Sequence, residues 1–147
     1  MKLMLDANVV LDFIQHREPH YAYSALVIQE VIKKRVAGML PIYVLTTMYY
    51  ILAKQFGRTR ANQEIDWLLA HFEIAAGDKA VLLRARKLPC NDFEDAVVAC
   101  LAEVSGCQWI ITRNIADFED SPIAAMTPEA FMAKYGVATQ EGLPQNN

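Results

Sequence analysis

Cysteine and histidine are both scarce, with three of each in 147 residues. Cys90, Cys100 and Cys107 are odd in number, and no two are spaced like a zinc knuckle or a redox pair. They read as unpaired thiols of a reducing, cytosolic compartment. His16, His20 and His71 have no metal-ligand spacing, and Glu18 and Pro19 between the first two mark a helix boundary. No Ser–His or Cys–His nucleophilic set is visible. Positive charge is not in surplus either: 14 Lys and Arg against 17 Asp and Glu leave a net charge of −3. Binding to nucleic acid would have to rest on a local basic patch rather than on bulk attraction.

Membrane and secretory signals are missing as well. The stretch from Val36 to Ala53 carries no charge and is long enough to cross a bilayer, but Gly38, Pro41, Thr46 and Thr47 interrupt it. It reads instead as a buried strand, Pro41 to Leu45, followed by a helix. Near the start, Asp6 falls where the apolar centre of a signal peptide would run. The expectation is a cytoplasmic protein that does not enter the membrane. What the chain does have is 54% hydrophobic and 21% charged residues, the balance of a globular protein rather than a disordered one. Its length is that of one domain, and no repeat or linker divides it. That domain is expected to span residues 1–135. The polar, turn-rich tail from Gly136 to Asn147 is expected to be disordered.

Short apolar runs alternate with helical stretches. Strands are predicted at Lys2 to Leu5, Pro41 to Leu45, Phe72 to Ala75, Trp109 to Thr112 and Ile123 to Met126. Between them, helical spacing runs from Tyr21 to Val36, from Thr47 to Phe56 with Gly57 as its stop, and from Thr59 to Ala70 with Ile65, Leu68 and Leu69 inward. Asp78 caps a helix to Leu88. In Asp92 to Ser105, the residues Phe93, Ala96, Val97, Cys100, Leu101 and Val104 form one apolar stripe, and Gly106 stops the helix. Pro128 opens a last helix to Lys134. The alternation predicts an α/β fold, a parallel sheet with helices on both faces.

The opening MKLMLDANVVLD sets Asp6 at the lip of the apolar run Leu3-Met4-Leu5. A lone buried carboxylate is costly, so Asp6 needs partners. Ligands of open parallel sheets bind beyond the carboxyl ends of the strands. Asp6 ends the first strand, Thr46 and Thr47 close the second, and Asn114 and Asp117 follow the fourth. Asp92 and Asp95, three apart, share a face of one helical turn. Taken singly, each has a structural reading. Asp92 with Asp95 resembles a capping box favoured by the helix dipole, although Asp95 lies inside the helix beside the apolar stripe. In NIADFED, Asp117 reads as an acidic surface turn with Phe118 tucked inward, and Glu119 and Asp120 as solvated. Asp12 reads as a surface acid or as a support behind the site, and Asn8 as a turn residue. The functional reading comes from their arrangement. Oxygen donors alone suit hard cations such as Mg²⁺. Such an ion activates water and stabilises the charge of an in-line attack on phosphorus.

The segments LMLDANVVLDFI and NDFEDAVVACLAEVSGCQWIITRNIADFEDSPIAAMTPEAF resemble the PIN-domain family, especially its bacterial VapC-like members. The second block covers about a third of the chain, and the first strand with Tyr49-Tyr50 extends the likeness to nearly all of it. The resemblance implies a three-layer α/β/α sandwich with a short parallel sheet and a Mg²⁺- or Mn²⁺-dependent endoribonuclease. It implies RNA as substrate, a homodimer, and, in toxin–antitoxin pairs, a small antitoxin protein as partner. By motif, Asp6, Asp95 and Asp117 would be the metal ligands. Asp92 and Asn114 would assist them, and Thr112 would orient a water or phosphate.

One position departs from the family pattern. Many members carry an acid at the start of the helix after the second strand, and in YVLTTMYYIL the best match is Thr47, a neutral oxygen donor. Two readings therefore stay open: a nuclease with a weakened, one-metal site, or a degenerate member that binds RNA or protein without cutting. Three basic groups stand out: Lys33-Lys34-Arg35, Lys54 with Arg58 and Arg60, and Arg84 with Arg86 and Lys87. Arg113, next to Thr112, is the best single residue for a phosphate contact. A receiver-like signalling domain is disfavoured, because the third strand runs into Ala-Ala-Gly with no Asp at its tip.

Overall fold

Strands Lys2–Leu5 (β1), Ala37–Pro41 (β2), Glu73–Ala75 (β3), Trp109–Ile111 (β4) and Ala125–Met126 (β5) form one sheet in the order β3-β2-β1-β4-β5. Every pairing is parallel. The helices are Ala7–Ile14 (α1), Tyr21–Ile32 (α2), Ile42–Phe56 (α3), Arg58–His71 (α4), Lys79–Ala85 (α5), Phe93–Val104 (α6) and Pro128–Tyr135 (α7). A 3-10 turn covers Ile115–Phe118. This computed structural model describes residues 1–136, so the tail expected from Gly136 onward lies, but for that glycine, outside the described residues.

Alternation along the strands builds two cores. Leu3, Leu5, Leu40 and Ile111 face one side, packed with α1, α2, α3, α4 and α7. Met4, Met39 and Ile110 face the other, packed with α5 and α6. The result is the three-layer α/β/α sandwich with a short parallel sheet. From β1 the chain builds outward through β2 to β3, then returns to pair β4 on the opposite side of β1. The direction of winding reverses between β1 and β4, and sheets of this kind bind their ligands in the crevice beyond the carboxyl ends at such a point.

Four local assignments need correction. The second strand is Ala37–Pro41, not Pro41 to Leu45, and α3 begins at Ile42. A short apolar run rich in branched residues cannot be told from a buried helix by periodicity. Here Pro41 ends the strand, and its φ of −61° leads into the helix. Thr46 and Thr47 therefore sit in the second turn of α3 rather than at a strand end. Second, Asn8 lies within α1, a helix the sequence pattern did not reveal, rather than in a turn. Third, α2 ends at Ile32 and leaves Lys33, Lys34 and Arg35 in the turn before β2. Fourth, the inward stripes are displaced: Leu69, Phe93 and Val104 are all exposed, while Ala96 through Ala102 is buried without a break. With α5 on one flank and the sheet on another, α6 is covered on most of its circumference. Among the described residues no helix is long and apolar enough to cross a membrane.

Candidate active site

Thr112 is wholly buried at the end of β4. Its hydroxyl donates to Asp6 Oδ2 at 2.8 Å and accepts the Asn114 N–H at 3.0 Å. The Asp6 N–H donates to Ile111 O at 2.9 Å, so the tips of β1 and β4 are tied twice. Asp6 also stands at the N-terminus of α1, where its carboxylate closes no cap hydrogen bond. Burial pushes the Asp6 carboxyl above its usual range. Thr112, the amides of Ala7 and Asn8, and the charge of Arg113 pull partly the other way.

Because β4 runs parallel to β1, the helix leading into it starts at the same carboxyl edge. Asp92 caps α6, its carboxylate accepting the Asp95 N–H at 3.1 Å. The capping role is thus real, and it fixes the first helical turn, which begins at that edge. Asp95 is raised to about 6, first by burial and then by the negative charges of Asp92, Asp117, Asp6 and Glu94. Of these acids, Asp6 follows β1, Asp92 and Glu94 open α6, and Asp117 lies in the turn after β4. Asp117 rides the 3-10 turn, with its N–H donating to Asn114 O at 3.1 Å. Asn114 and Asp117 are exposed, while Phe118 beneath them is buried.

Tyr43, in the first turn of α3, is a site residue that the sequence reading missed. Its hydroxyl lies 3.5 Å from Glu94 O. Burial, together with Glu94, Asp6, Asp95 and Asp92, pushes its phenol far above the ordinary range, so it stays protonated. Had α3 been placed one turn earlier, its position at the strand's end would have marked it. Thr47, one turn on, lines a cleft with Tyr43, Phe93 and Glu94. The Thr46 and Thr47 hydroxyls donate back to Tyr43 O at 2.8 and 3.3 Å, in the manner of a helical Thr with no outside partner.

Asp12, read as a surface acid or a support, is fully buried. Arg113 Nε approaches Asp12 Oδ2 to 2.7 Å, close enough for an ion pair but misaligned for a hydrogen bond, and Nη2 donates to Oδ1 at 3.4 Å. Arg17 stands 3.8 Å from the same carboxylate. Arg113 is therefore not a free phosphate grip: one edge of its guanidinium is committed to Asp12.

The donor set Asp6, Asp92, Asp95, Asn114 and Asp117 is all oxygen and predominantly anionic, which fits a hard divalent cation. Among the described residues, no three His, Cys, Asp or Glu side chains stand together closely enough to hold one ion. A Mg²⁺ ion that keeps several waters and takes one or two carboxylates needs no such cage.

Comparison with known proteins finds relatives of the whole fold. The sequence profile of the PIN domain matches residues 2–116. Ribonuclease VapC1 of Aquifex aeolicus (strain VF5) is 27% identical over 139 residues, covering 91% of this chain and 95% of that protein. VapBC-1 from nontypeable Haemophilus influenzae superposes with a TM-score of 0.66 at 15% identity, over 88% of this chain and 99% of that one. VapBC2 from Rickettsia felis, bound to a promoter DNA fragment, gives 0.64 at 19% identity, over 86% and 98%. At such low identities the structural likeness is one of fold.

Proposed function

Because the chain belongs to the PIN-domain family, we propose that it is a divalent-metal-dependent endoribonuclease of the VapC kind, the toxin of a toxin–antitoxin pair. Asp6, Asp95 and Asp117 would hold Mg²⁺ or Mn²⁺, one or two of them directly and the rest through the ion's retained waters, with Asp92 and Asn114 assisting and Thr47 lining the approach. The bound ion supplies activation of water and stabilisation of charge on the phosphate. The protein's own part is positioning. Thr112 fixes the orientation of Asp6 through its 2.8 Å hydrogen bond, and Asp92 holds the first turn of α6 so that Asp95 faces the crevice. Asp95, held near 6, is ionised at neutral pH and accepts a proton or a metal. The Tyr43 phenol remains a hydrogen-bond donor beside the acids. Hydrolysis in this mode leaves a 5′-phosphate and a 3′-hydroxyl.

The observation that carries this reading is geometric: the Thr112–Asp6 hydrogen bond fastens the ends of β1 and β4 together, and α6 begins at that same edge with Asp92 capping it at Asp95, so acids from three distant segments share one edge of the sheet. The VapC1 relative is named a ribonuclease, and a structural neighbour from Klebsiella pneumoniae is named a toxin–antitoxin complex. A small antitoxin as partner, RNA as substrate, a homodimer and a cytoplasmic setting complete the proposal. The test is cleavage of RNA in Mg²⁺ by Asp6→Asn and Asp95→Asn. Each loses activity while keeping the circular dichroism of the parent. Full activity in both variants would overturn the assignment.

A second reading is favoured by Thr47, which brings no charge to a position where many relatives carry an acid. A non-cutting RNA- or protein-binding member would show no heat of Mn²⁺ binding in calorimetry. The nuclease shows it.

A further inference from the structure

We infer that the cavity between the N-termini of α2 and α7 is a nucleotide subsite, which takes one nucleoside monophosphate unit of the RNA beside the scissile bond. This rests on the ribonuclease reading above. The cavity measures about 410 Å³, and its polar lining is His20, Tyr23, Ser24, Arg113, Thr127 and Glu129. Arg113 directly follows Thr112, so the cavity opens off the same sheet edge that carries Asp6.

Three features point to a ligand of this class. First, Ser24 lines the cavity, is wholly buried, and has a hydroxyl with no hydrogen-bond partner. Buried polar atoms are almost always satisfied, so an orphan on a cavity wall marks a place for a ligand's polar group. Second, Asp12 occupies the Nε–Nη2 edge of Arg113 and leaves Nη1 beside His20 Nε2, at 3.5 Å. Asp12 is shared with Arg17, so it does not neutralise Arg113 alone, and Arg113 is the cation on the cavity wall, facing Glu129 as its one carboxylate. The free edge of the guanidinium suits a phosphate oxygen, and the ion pair holds Arg113 rigid for it. Third, Tyr23 is 41% exposed on the rim, a face on which a base can stack. Glu129 and the Ser24 hydroxyl then remain for the base edge. A bare anion would need neither the aromatic rim nor the volume.

The test has two arms on the full chain. In Asp95→Asn, each of the four ribonucleoside 5′-monophosphates is titrated while backbone amide NMR shifts are followed. At least one shifts the amides of Ser24 and Arg113. In the parent background, Ser24→Ala and Tyr23→Ala each raise KM for RNA about tenfold with kcat unchanged, the loss of one stacking or hydrogen-bonding contact. Ser24→Ala does not lower the folding midpoint, because the hydroxyl has no partner to lose. Asp95-dependent cleavage with KM unchanged in both variants, or no shift at those amides with any monophosphate, would overturn the subsite and leave the ribonuclease reading standing. Nucleotide-induced shifts there in a protein whose parent does not cleave RNA would uphold the subsite and overturn the ribonuclease reading.

Discussion

Thr112 donates to Asp6 Oδ2 at 2.8 Å across 106 residues of sequence, and so fastens the end of β4 to the end of β1 at the point where the sheet reverses its winding. The same hydroxyl accepts the Asn114 N–H, which sets the path of the chain toward Asp117. One buried side chain thus aligns two of the proposed metal ligands.

Replacing Thr112 by Val keeps the shape and removes both bonds. The Asn114 N–H and the half-buried Asp6 carboxylate each lose a partner, so the variant loses about 1–3 kcal/mol of stability in urea denaturation. The Asp6 carboxyl, already raised by burial, rises further, since Thr112 is the largest of the influences that lower it. Carbon-13 NMR titration of Asp6 reads that shift directly.

Asp95 sets a pH dependence for the metal-free protein. Its folded value, about 6, lies above the ordinary carboxylate value of about 4. A group raised on folding contributes stability that is complete below the unfolded value and lost as pH rises through the folded one. In EDTA, Asp95→Asn therefore melts at a higher temperature than the parent at pH 7. The gap closes as pH falls from about 6 toward about 4. A constant gap across that range would contradict the raised Asp95 carboxyl.

Added Mn²⁺ reverses the order. Binding to the folded state alone stabilises by mass action, so the parent's midpoint rises with Mn²⁺ concentration. In Asp6→Asn/Asp95→Asn it stays flat, and differential scanning calorimetry compares the two.

Asp12→Ala leaves Arg113 and Arg17 without their shared carboxylate. Breaking a buried pair costs about 3–5 kcal/mol, reduced here to about 2–3 kcal/mol because both guanidinium groups reach solvent. Chemical denaturation measures the loss.

The acids were legible in the sequence because each sits where a strand or helix ends, and such ends announce themselves: Leu3-Met4-Leu5 before Asp6, the cap at Asp92, Gly106 closing α6. The parallel sandwich was legible from the alternation of elements. Tyr43 was not, because Ile42 to Leu45 reads equally as strand or buried helix, and only pairing of Gly38 and Met39 with β1 fixes the boundary. Nor was the Asp12–Arg113 pair, whose members lie 101 residues apart and carry no local signal. The exposure of Phe93 and Val104 likewise follows from neighbours: α5 and the sheet cover the middle of α6 and leave its ends open.

The central claim is that Asp6, Asp95 and Asp117 share one divalent cation. A crystal soaked in Mn²⁺, with anomalous diffraction recorded at the manganese edge, tests it most directly. The account predicts a peak in the crevice beyond β1 and β4, within bonding distance of one or two of those carboxylates and within reach of the rest through one water. Manganese bound elsewhere, with that crevice empty at saturating metal, would contradict it.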